Sequence, residues 1–247
     1  MKKESFKGLV CIGAPKCGTT LLYKQIVKDN QFNNPLEKEL DFWNCKKNVL
    51  DSNSPYLRKL PRTLQKIFKD FNQNDFFNFY KTRDFSKAFL DFSPDYMRLE
   101  KGTMLEMQEF YDDLKIILCI RNPLDRVESH FNYALRLRRN LPLRYLKWCY
   151  YQFSKTKLAT SYSEVFDNWC DVIGEENIII ICYEDLVSSS EVVSQQLSKF
   201  IGVPIDINVN DYVNKTEYKS IFSENLRKRV TNFYQDQFIF WRRNRCK

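Results

Sequence analysis

Short, uninterrupted apolar runs recur along the chain at residues 9–12, 115–120 and 178–182. A run of this kind is typical of a strand in a parallel sheet, where both faces are buried. A fourth short strand is predicted within Ser86–Tyr96, and Pro94 ends it because proline has no amide hydrogen for the ladder. We therefore predict that buried parallel strands form the core.

Helical spacing of apolar residues fills most of the sequence between these runs. Helices are predicted at residues 20–28, 56–71, 123–139, 141–151, 162–173, 188–201 and 222–241. The helix at 188–201 ends at Gly202 and Pro204, and the last is predicted to be one long helix with an aromatic inner face. Glu184 and Asp185, directly after the strand at 178–182, are interpreted as helix-capping residues.

The first strand and the first helix are joined by Gly13-Ala-Pro-Lys-Cys-Gly18, whose glycines permit a tight turn. The first amides of a helix have no partner within it, so they favour an anion in such a loop, phosphate above all. The P-loop of nucleotide triphosphatases has the form G-x-x-x-x-G-K-[ST], and Gly13 and Gly18 have its spacing. Thr19 occupies the position of the P-loop lysine, and a lysine lies inside the loop instead, as Lys16. The sequence thus predicts a phosphate-binding loop that departs from the P-loop pattern.

Residues Pro15–Thr20 resemble the 5′-phosphosulfate loop of the sulfotransferases that use 3′-phosphoadenosine 5′-phosphosulfate (PAPS). A second signature of that family is a strand leading into an arginine, with a serine eight residues later, and Lys115–Ser129 matches it. The resemblance implies a three-layer α/β fold, with a central parallel sheet of four to five strands flanked by helices. It also implies transfer of a sulfuryl group from PAPS to a hydroxyl or amine, which leaves adenosine 3′,5′-bisphosphate (PAP) and requires no metal.

The same resemblance assigns residues to the nucleotide. Lys16 is implied to be catalytic, because it would stabilise charge on the departing 5′-phosphate. Arg121 and Ser129 correspond to the residues that bind the 3′-phosphate. Lys215 and Lys219 occur where the family has a loop that closes over the nucleotide. The nucleotide contacts expected in chain order are Lys16, Cys17, Gly18, Thr19, Thr20, Arg121, Ser129, Lys215 and Lys219.

Two residues near Ser129 receive no role in the reaction. Arg126 has the spacing of a helix turn from Ser129 and is interpreted as a structural ion-pair partner. His130 is the only histidine of the chain. It is not assigned as a base, because a residue directly after the phosphate-binding serine should point away from the acceptor.

Glu37–Asn44 resembles the acceptor side of the heparan-sulfate sulfotransferases, in which a glutamate serves as catalytic base. The corresponding residue is Glu39, which would need hydrogen-bond reach of the acceptor's hydroxyl or amine. Apolar neighbours can raise the pKa of a carboxylate toward neutrality, and Leu40, Phe42 and Trp43 are expected to provide such surroundings.

The residues expected to contact the acceptor are Asp41, Phe42, Trp43, Phe92 and Asp95. Phe92 replaces a lysine of the resembling family, and Asp41 replaces a histidine. A pocket that keeps acidic residues and loses basic ones suits a neutral or cationic small molecule best, with a carbohydrate as the second choice. Basic residues such as Arg83 or Arg98 could restore the charge, which is the alternative interpretation.

The composition limits the class of protein. A chain of 247 residues is long enough for a full core, and we expect one domain over residues 1–247. The net charge of +8 suggests an anionic ligand, but the basic residues are spread out, so a nucleic-acid partner is not expected. The eight cysteines include no C-x-x-C pair, so neither disulfides nor a metal site is expected. The oligomeric state is left open.

The chain has no apolar signal segment and no apolar run that could span a membrane, which predicts a cytoplasmic protein. A luminal domain separated from its membrane anchor would look similar. Two other functions stay open at this point. One is a P-loop kinase or triphosphatase, and the other is a nucleotide-binding protein that has lost catalysis.

Overall fold

A computed structural model of the protein describes residues 6–28, 30–44, 76–137, 161–209 and 222–245. The strands are β1 (Lys7–Gly13), β2 (Phe32–Asn33), β3 (Ala88–Phe92), β4 (Asp113–Ile120) and β5 (Ile178–Cys182). They form one sheet in the order β2-β3-β1-β4-β5, and all neighbouring strands are parallel. The predicted α/β fold with a parallel sheet is confirmed, at the upper end of the predicted strand number.

The central strand β1 and its neighbour β4 are almost entirely buried in the core. Six of the seven residues of β1 are buried, as the apolar run predicts for a strand covered on both faces. The edge strand β2 was not predicted, since it has only two residues. It is held by the side chain of Asn33, whose Nδ2 donates to the carbonyl groups of Asp84 and Lys87 at 2.7 and 3.1 Å.

Four of the described α-helices lie between strands along the chain, and four follow β5. They are α1 (Thr19–Ile26), α2 (Lys101–Phe110), α3 (Pro123–Leu137), α4 (Tyr162–Ile173), α5 (Tyr183–Ser188), α6 (Ser190–Ile201), α7 (Glu224–Phe233) and α8 (Gln235–Arg243). Helix α2 was not predicted, because only Met104 and Met107 of it are buried and its apolar pattern is weak. The predicted helices at 56–71 and 141–151 lie outside the described residues.

The prediction of one long C-terminal helix was wrong. The helix is interrupted at Tyr234, which has φ and ψ of −103° and 24°. Tyr234 is buried with Val127, Phe131 and Phe238 in a small second core. Helix α7 packs on α3, whereas α8 contacts both α3 and α4. The predicted aromatic inner face is present on α8, where Phe238 and Trp241 pack into this core, but α7 buries only Val230 and its Phe233 is 60% exposed.

The capping prediction for Glu184 and Asp185 was also wrong. Both lie in the first turn of α5, where their charge favours the helix dipole, but neither caps the helix. Glu184 accepts hydrogen bonds from the amide of Asn122 and from Nε1 of Trp241, each at 2.9 Å. Asp185 accepts two from the guanidinium of Arg245. These acids therefore join the C-terminal segment to the sheet.

The described cysteines form no disulfide with one another. They are Cys11, Cys17, Cys119, Cys170 and Cys182. Cys11, Cys119 and Cys182 lie in strands as small buried side chains, as predicted. Within the described ranges, no helix has the length and apolarity needed to cross a membrane.

Candidate functional site

The loop between β1 and α1 has the backbone of an anion-binding turn. Gly18, directly before α1, has a φ of +85°, and a Cβ atom there would lie 2.6 Å from the ring of Tyr183. Glycine alone avoids both the conformational penalty and this clash. Lys16 also has a positive φ, of 69°. Helix α1 starts at Thr19, so the amides of its first turn point into the loop, which is how helix N-termini bind phosphate.

Cys17 shapes this loop from the inside. Its amide donates to the carbonyl of Ala14 at 3.2 Å, and its buried Sγ lies 3.6 Å from the hydroxyl of Tyr162. Burial raises the pKa of the Cys17 thiol, and the nearby guanidinium of Arg126 offsets only part of this rise. The Tyr162 hydroxyl in turn donates to the carbonyl of Arg121 at 3.0 Å. Tyr162 thereby joins the phosphate loop to the chain after β4.

Lys16 is anchored at the side of the loop. Its Nζ lies 3.4 Å from the centre of the Tyr133 ring on α3, a cation–π contact. Thr19 is buried, whereas Thr20 is exposed at the start of α1. The loop therefore has an ammonium group on one side and the first turn of a helix on the other.

Arg121 lies beside the same loop. It follows β4, which is the neighbour of β1, so both strands end at one edge of the sheet. Its Nη1 donates to the carbonyl of Lys16 at 3.4 Å, and its guanidinium lies 4.3 Å from the centre of the Tyr183 ring. Ser129 lies on α3, the helix that follows Arg121, and both residues are largely buried. The structure thus brings Arg121 to the predicted nucleotide site.

Arg126 holds the phosphate loop rather than a carboxylate. The prediction of an ion pair was wrong for the part of the chain that the structure describes. Its Nε donates to the carbonyl of Pro15 at 3.2 Å, and its Nη2 lies 3.6 Å from Sδ of Met97. The guanidinium also lies 5.1 Å from the centre of the Tyr162 ring. Because Arg126 is almost fully buried, it stabilises the loop from the side that faces the protein interior.

Lys38 connects the phosphate loop to the predicted base. Its Nζ lies 2.6 Å from Oε1 of Glu39 and 3.5 Å from Oγ1 of Thr19. The Lys38 side chain is 16% exposed and that of Glu39 is 53% exposed, so the ammonium is held between the loop and the carboxylate. Lys38 supplies a positive charge beside Thr19, where a P-loop has its lysine.

The expected apolar surroundings of Glu39 are not present. Phe42 and Trp43 are buried, with ring centres 5.2 Å from Phe76 and 5.5 Å from Phe110, respectively. Their rings belong to an aromatic cluster of the core, on the side of the segment that faces away from solvent. Because these side chains pack inward, the carboxylate of Glu39 is left at the surface.

The other acceptor-side residues lie at the end of β3 and in the segment after Glu39. Phe92 is fully buried, 5.3 Å from the Tyr23 ring, so core packing occupies the position of the family lysine. Asp95 is half exposed and pairs with Arg98 at 3.1 Å. Burial and the charge of Asp95 raise the pKa of Asp41. Asp41 and Asp95 therefore place acidic groups near the segment that carries Glu39.

Some predicted features fall beyond what the structure describes. Lys215 and Lys219 lie outside the described residues.

His130 lies on α3 next to Ser129 and is half-buried. Among the described residues, no three His, Cys, Asp or Glu side chains converge in the manner of metal ligands.

Comparison with known proteins identifies the family. The model of the sulfotransferase domain matches residues 7–243. The chain belongs to this sulfotransferase family. Among solved structures, a sulfotransferase from Alicyclobacillus acidocaldarius superimposes with a TM-score of 0.68 at 20% identity, covering 94% of this chain and 93% of that one. The sulfotransferase domain of the Synechococcus PCC 7002 olefin synthase gives a TM-score of 0.57 at 15% identity, covering 98% and 97%. At these identities the two structures show the fold alone.

Curated relatives match this sulfotransferase-family chain over shorter segments. A 3-alpha-hydroxysteroid sulfotransferase of Cavia porcellus is 23% identical over 120 residues, which is 47% of this chain and 41% of the relative. Sulfotransferase 6B1 of Mus musculus is 33% identical over 96 residues, 38% of this chain and 31% of the relative. The matched segments thus span less than half the length of these curated relatives.

Three residues of the site had no role in the sequence-based prediction. Lys38 could have been noticed because it directly precedes Glu39. Tyr183 directly precedes the two acids that were interpreted as helix caps, and no local pattern marks its ring as a partner of Arg121. Tyr162 carries no local signal, since only the packing of α4 against β4 brings it to Cys17.

Proposed function

We propose that this member of the sulfotransferase family transfers the sulfuryl group of PAPS to a hydroxyl or amine of an acceptor, leaving PAP. The observation that carries the proposal is the position of Lys38, whose ammonium contacts both Thr19 of the phosphate loop and Glu39. A carboxylate held beside a phosphate loop can accept a proton from an acceptor that lies over the loop.

The residues present fit PAPS as the donor. A Cβ atom at Gly18 would lie 2.6 Å from the Tyr183 ring, so glycine lets the loop pass close to that ring and to Arg121, which the ring contacts. Arg121 offers a guanidinium fork beside the loop, suited to the oxygens of a phosphate. Tyr183 stacks on that guanidinium and limits its movement. PAPS supplies an activated sulfuryl group, and the chain supplies the binding and proton-accepting groups.

We assign each group one task. The amides of the first turn of α1, together with the hydroxyls of Thr19 and Thr20, bind the 5′-phosphate side. Lys16 stabilises the negative charge that develops there. Arg121 and Ser129 bind the 3′-phosphate. Glu39 accepts the proton of the acceptor, and the ammonium of Lys38 holds its carboxylate in place.

For the acceptor we propose a neutral or cationic small molecule, with a carbohydrate as the second choice. The acids near Glu39 support this choice, since Asp41 has no basic partner among the described ion pairs and Asp95 has only Arg98. The curated Cavia porcellus relatives are named for hydroxysteroids, which are neutral small molecules. A polyanionic glycan would be repelled by such a pocket.

We propose that residues 1–247 form a single domain, supported by the one sheet and by the family match over residues 7–243. We also propose that the protein works in the cytoplasm and needs neither a nucleic-acid partner nor a metal.

The donor assignment is tested by thermal unfolding with PAP, compared with ADP and with ATP plus magnesium. Binding at about 100 times the dissociation constant adds about 2.7 kcal/mol. For a chain of this length the midpoint should then rise by roughly 5–10 °C with PAP. The rise should be much smaller with ADP, because ADP lacks the 3′-phosphate that Arg121 and Ser129 are assigned to bind. A rise only with ATP and magnesium would replace the proposal with a kinase or triphosphatase.

An acceptor is then sought by transfer of labelled sulfate from PAPS to a panel of phenols, alcohols, amines and sugars. Transfer to at least one neutral or cationic small molecule is the expected result. Binding of PAP without transfer to any member of a broad panel would favour a protein that has lost catalysis.

Lys38→Met should lower turnover with that acceptor by about 10- to 100-fold, the usual effect of losing one hydrogen bond to a charged group. The dissociation constant for PAP should rise by less than turnover falls, because Lys38 lies beside Thr19 on the 5′-phosphate side but is not among the groups assigned to the 3′-phosphate. Lys101→Met is the matched control, since Lys101 pairs with Asp171 on the surface formed by α2 and α4. Equal turnover in both variants would show that Lys38 has no part in the reaction.

A further inference from the structure

Asp91 is the one charged residue of β3, and its side chain is completely buried. Its two carboxylate oxygens each accept one short hydrogen bond. The hydroxyl of Ser93 donates to Oδ1 at 2.6 Å, and the hydroxyl of Tyr96 donates to Oδ2 at 2.7 Å. A buried carboxylate is costly unless its oxygens are satisfied in this way.

Both hydroxyls continue to the segment that carries Glu39. Ser93 Oγ accepts a hydrogen bond from the amide of Asp41 at 3.0 Å. The Tyr96 hydroxyl accepts one from the amide of Trp43 at 3.2 Å. One carboxylate therefore holds two backbone amides of that segment, and it does so through one hydroxyl for each.

The first of these amides belongs to a residue with an uncommon backbone. Asp41 has a φ of 48°, in the left-handed region that non-glycine residues rarely adopt. Such a conformation persists only when its surroundings determine it. The Ser93 hydroxyl on the Asp41 amide is one such determinant, and it acts two residues after Glu39.

We propose that Asp91 is a positioning residue for the reaction: through Ser93 and Tyr96 it fixes the segment 39–43 and so sets where the carboxylate of Glu39 lies. The inference rests on the proposed function for the role of Glu39. The network itself is a property of the fold and can be measured separately.

The network needs the ionised form of Asp91. Each hydroxyl uses its single proton for the carboxylate and a lone pair for the backbone amide. A protonated Asp91 would donate to one hydroxyl, and that hydroxyl would then have no acceptor for its own proton in a buried site. A buried polar group without a partner is unfavourable, so this link would weaken.

Burial raises the pKa of Asp91 to about 7, although Ser93 and Tyr96 oppose the rise. The charged and titratable groups that face Asp91 are Asp41, Lys38, Tyr80, Tyr96 and Tyr111. Asp41 disfavours the ionised form and Lys38 favours it, while burial keeps the pKa values of the three tyrosines well above their usual range. Asp91 therefore titrates near neutrality.

The first test is amide hydrogen exchange in the full chain. Asp91→Asn should speed exchange at the amides of both Asp41 and Trp43 by about 5- to 10-fold, the effect of one ordinary hydrogen bond. Ser93→Ala should speed only Asp41, and Tyr96→Phe only Trp43. These two smaller changes keep the test decisive if Asp91→Asn folds poorly. The amide of Ile116 in β4 is the internal reference and should not change.

The second test is turnover as a function of pH, with the acceptor found by the panel. The wild-type kcat should fall below about pH 7, as Asp91 becomes protonated. Asp91→Asn should lack this limb and have a kcat about tenfold lower at pH 8, with an unchanged dissociation constant for PAP. A residue that only stabilised the fold would not remove a limb of the pH profile.

Unchanged exchange at Asp41 and Trp43 in Asp91→Asn would overturn the network. Faster exchange with an unaltered kcat and pH profile would overturn its role in positioning Glu39. If the wild-type protein transfers sulfate to no acceptor, the proposed function fails, and the exchange rates alone then decide whether Asp91 fixes the segment.

Discussion

Glu39→Gln is expected to abolish measurable sulfuryl transfer while PAP binds almost as in the wild type. A general base contributes about 10²- to 10⁴-fold to a rate, and glutamine keeps the size of the side chain without its ability to accept a proton. Glu39 is suited to this task because its carboxylate is half exposed and therefore open to an acceptor. Lys38 holds it beside the phosphate loop.

Binding should survive because the 3′-phosphate pair does not depend on Glu39: Arg121 directly follows β4 and Ser129 lies in α3. The measurement is kcat for the acceptor together with the dissociation constant for PAP by calorimetry. Glu37→Gln is the matched control, since Glu37 is exposed in the same segment and carries the same charge. A Glu39→Gln protein with most of its turnover would mean that another group accepts the proton.

Lys16→Ala should lower kcat by about 100- to 1000-fold, the range seen when a donor is removed from a site of developing charge. The loop places Lys16 between β1 and α1, beside the amides that are assigned to the 5′-phosphate. The charge on that phosphate grows as the sulfuryl group departs. The effect should therefore fall on kcat more than on the KM for PAPS.

Two controls separate the charge of Lys16 from its packing. Tyr133→Leu removes the ring under the ammonium but keeps the ammonium itself, so it should cost far less than Lys16→Ala. Lys7→Ala removes an exposed lysine at the opposite end of β1 and should leave kcat unchanged. A loss of PAPS affinity with an unaltered kcat in Lys16→Ala would limit Lys16 to binding.

The fold could be predicted as far as its signals are local. Strands buried on both faces leave continuous apolar runs, so β1, β4 and β5 were found from the sequence. The two-residue strand β2 has no such run. The helix is interrupted at Tyr234, but the helical pattern of the sequence continues through that residue and does not reveal the interruption.

In the candidate site, too, the residues that could be predicted are those whose signals are local in the sequence. The phosphate loop is a contiguous motif, and the structure gives it the positive φ at Gly18 that the sequence suggests. The surroundings of Glu39 depend on which way Phe42 and Trp43 face, and the aromatic core cluster takes both of them. Asp91 was part of a predicted strand, but nothing in the sequence shows that its carboxylate holds two distant amides.

The carboxylate of Glu184 links the indole of Trp241 on α8 to the amide of Asn122, the residue directly after Arg121. Two hydrogen bonds therefore connect the backbone beside Arg121 to the indole of Trp241, which is a fluorophore. The emission of Trp241 depends on the polarity and the hydrogen bonding around its indole, so the protein carries an intrinsic optical reporter. Binding of a ligand beside Arg121 is therefore expected to change the Trp241 emission, which adds to that of the three other tryptophans.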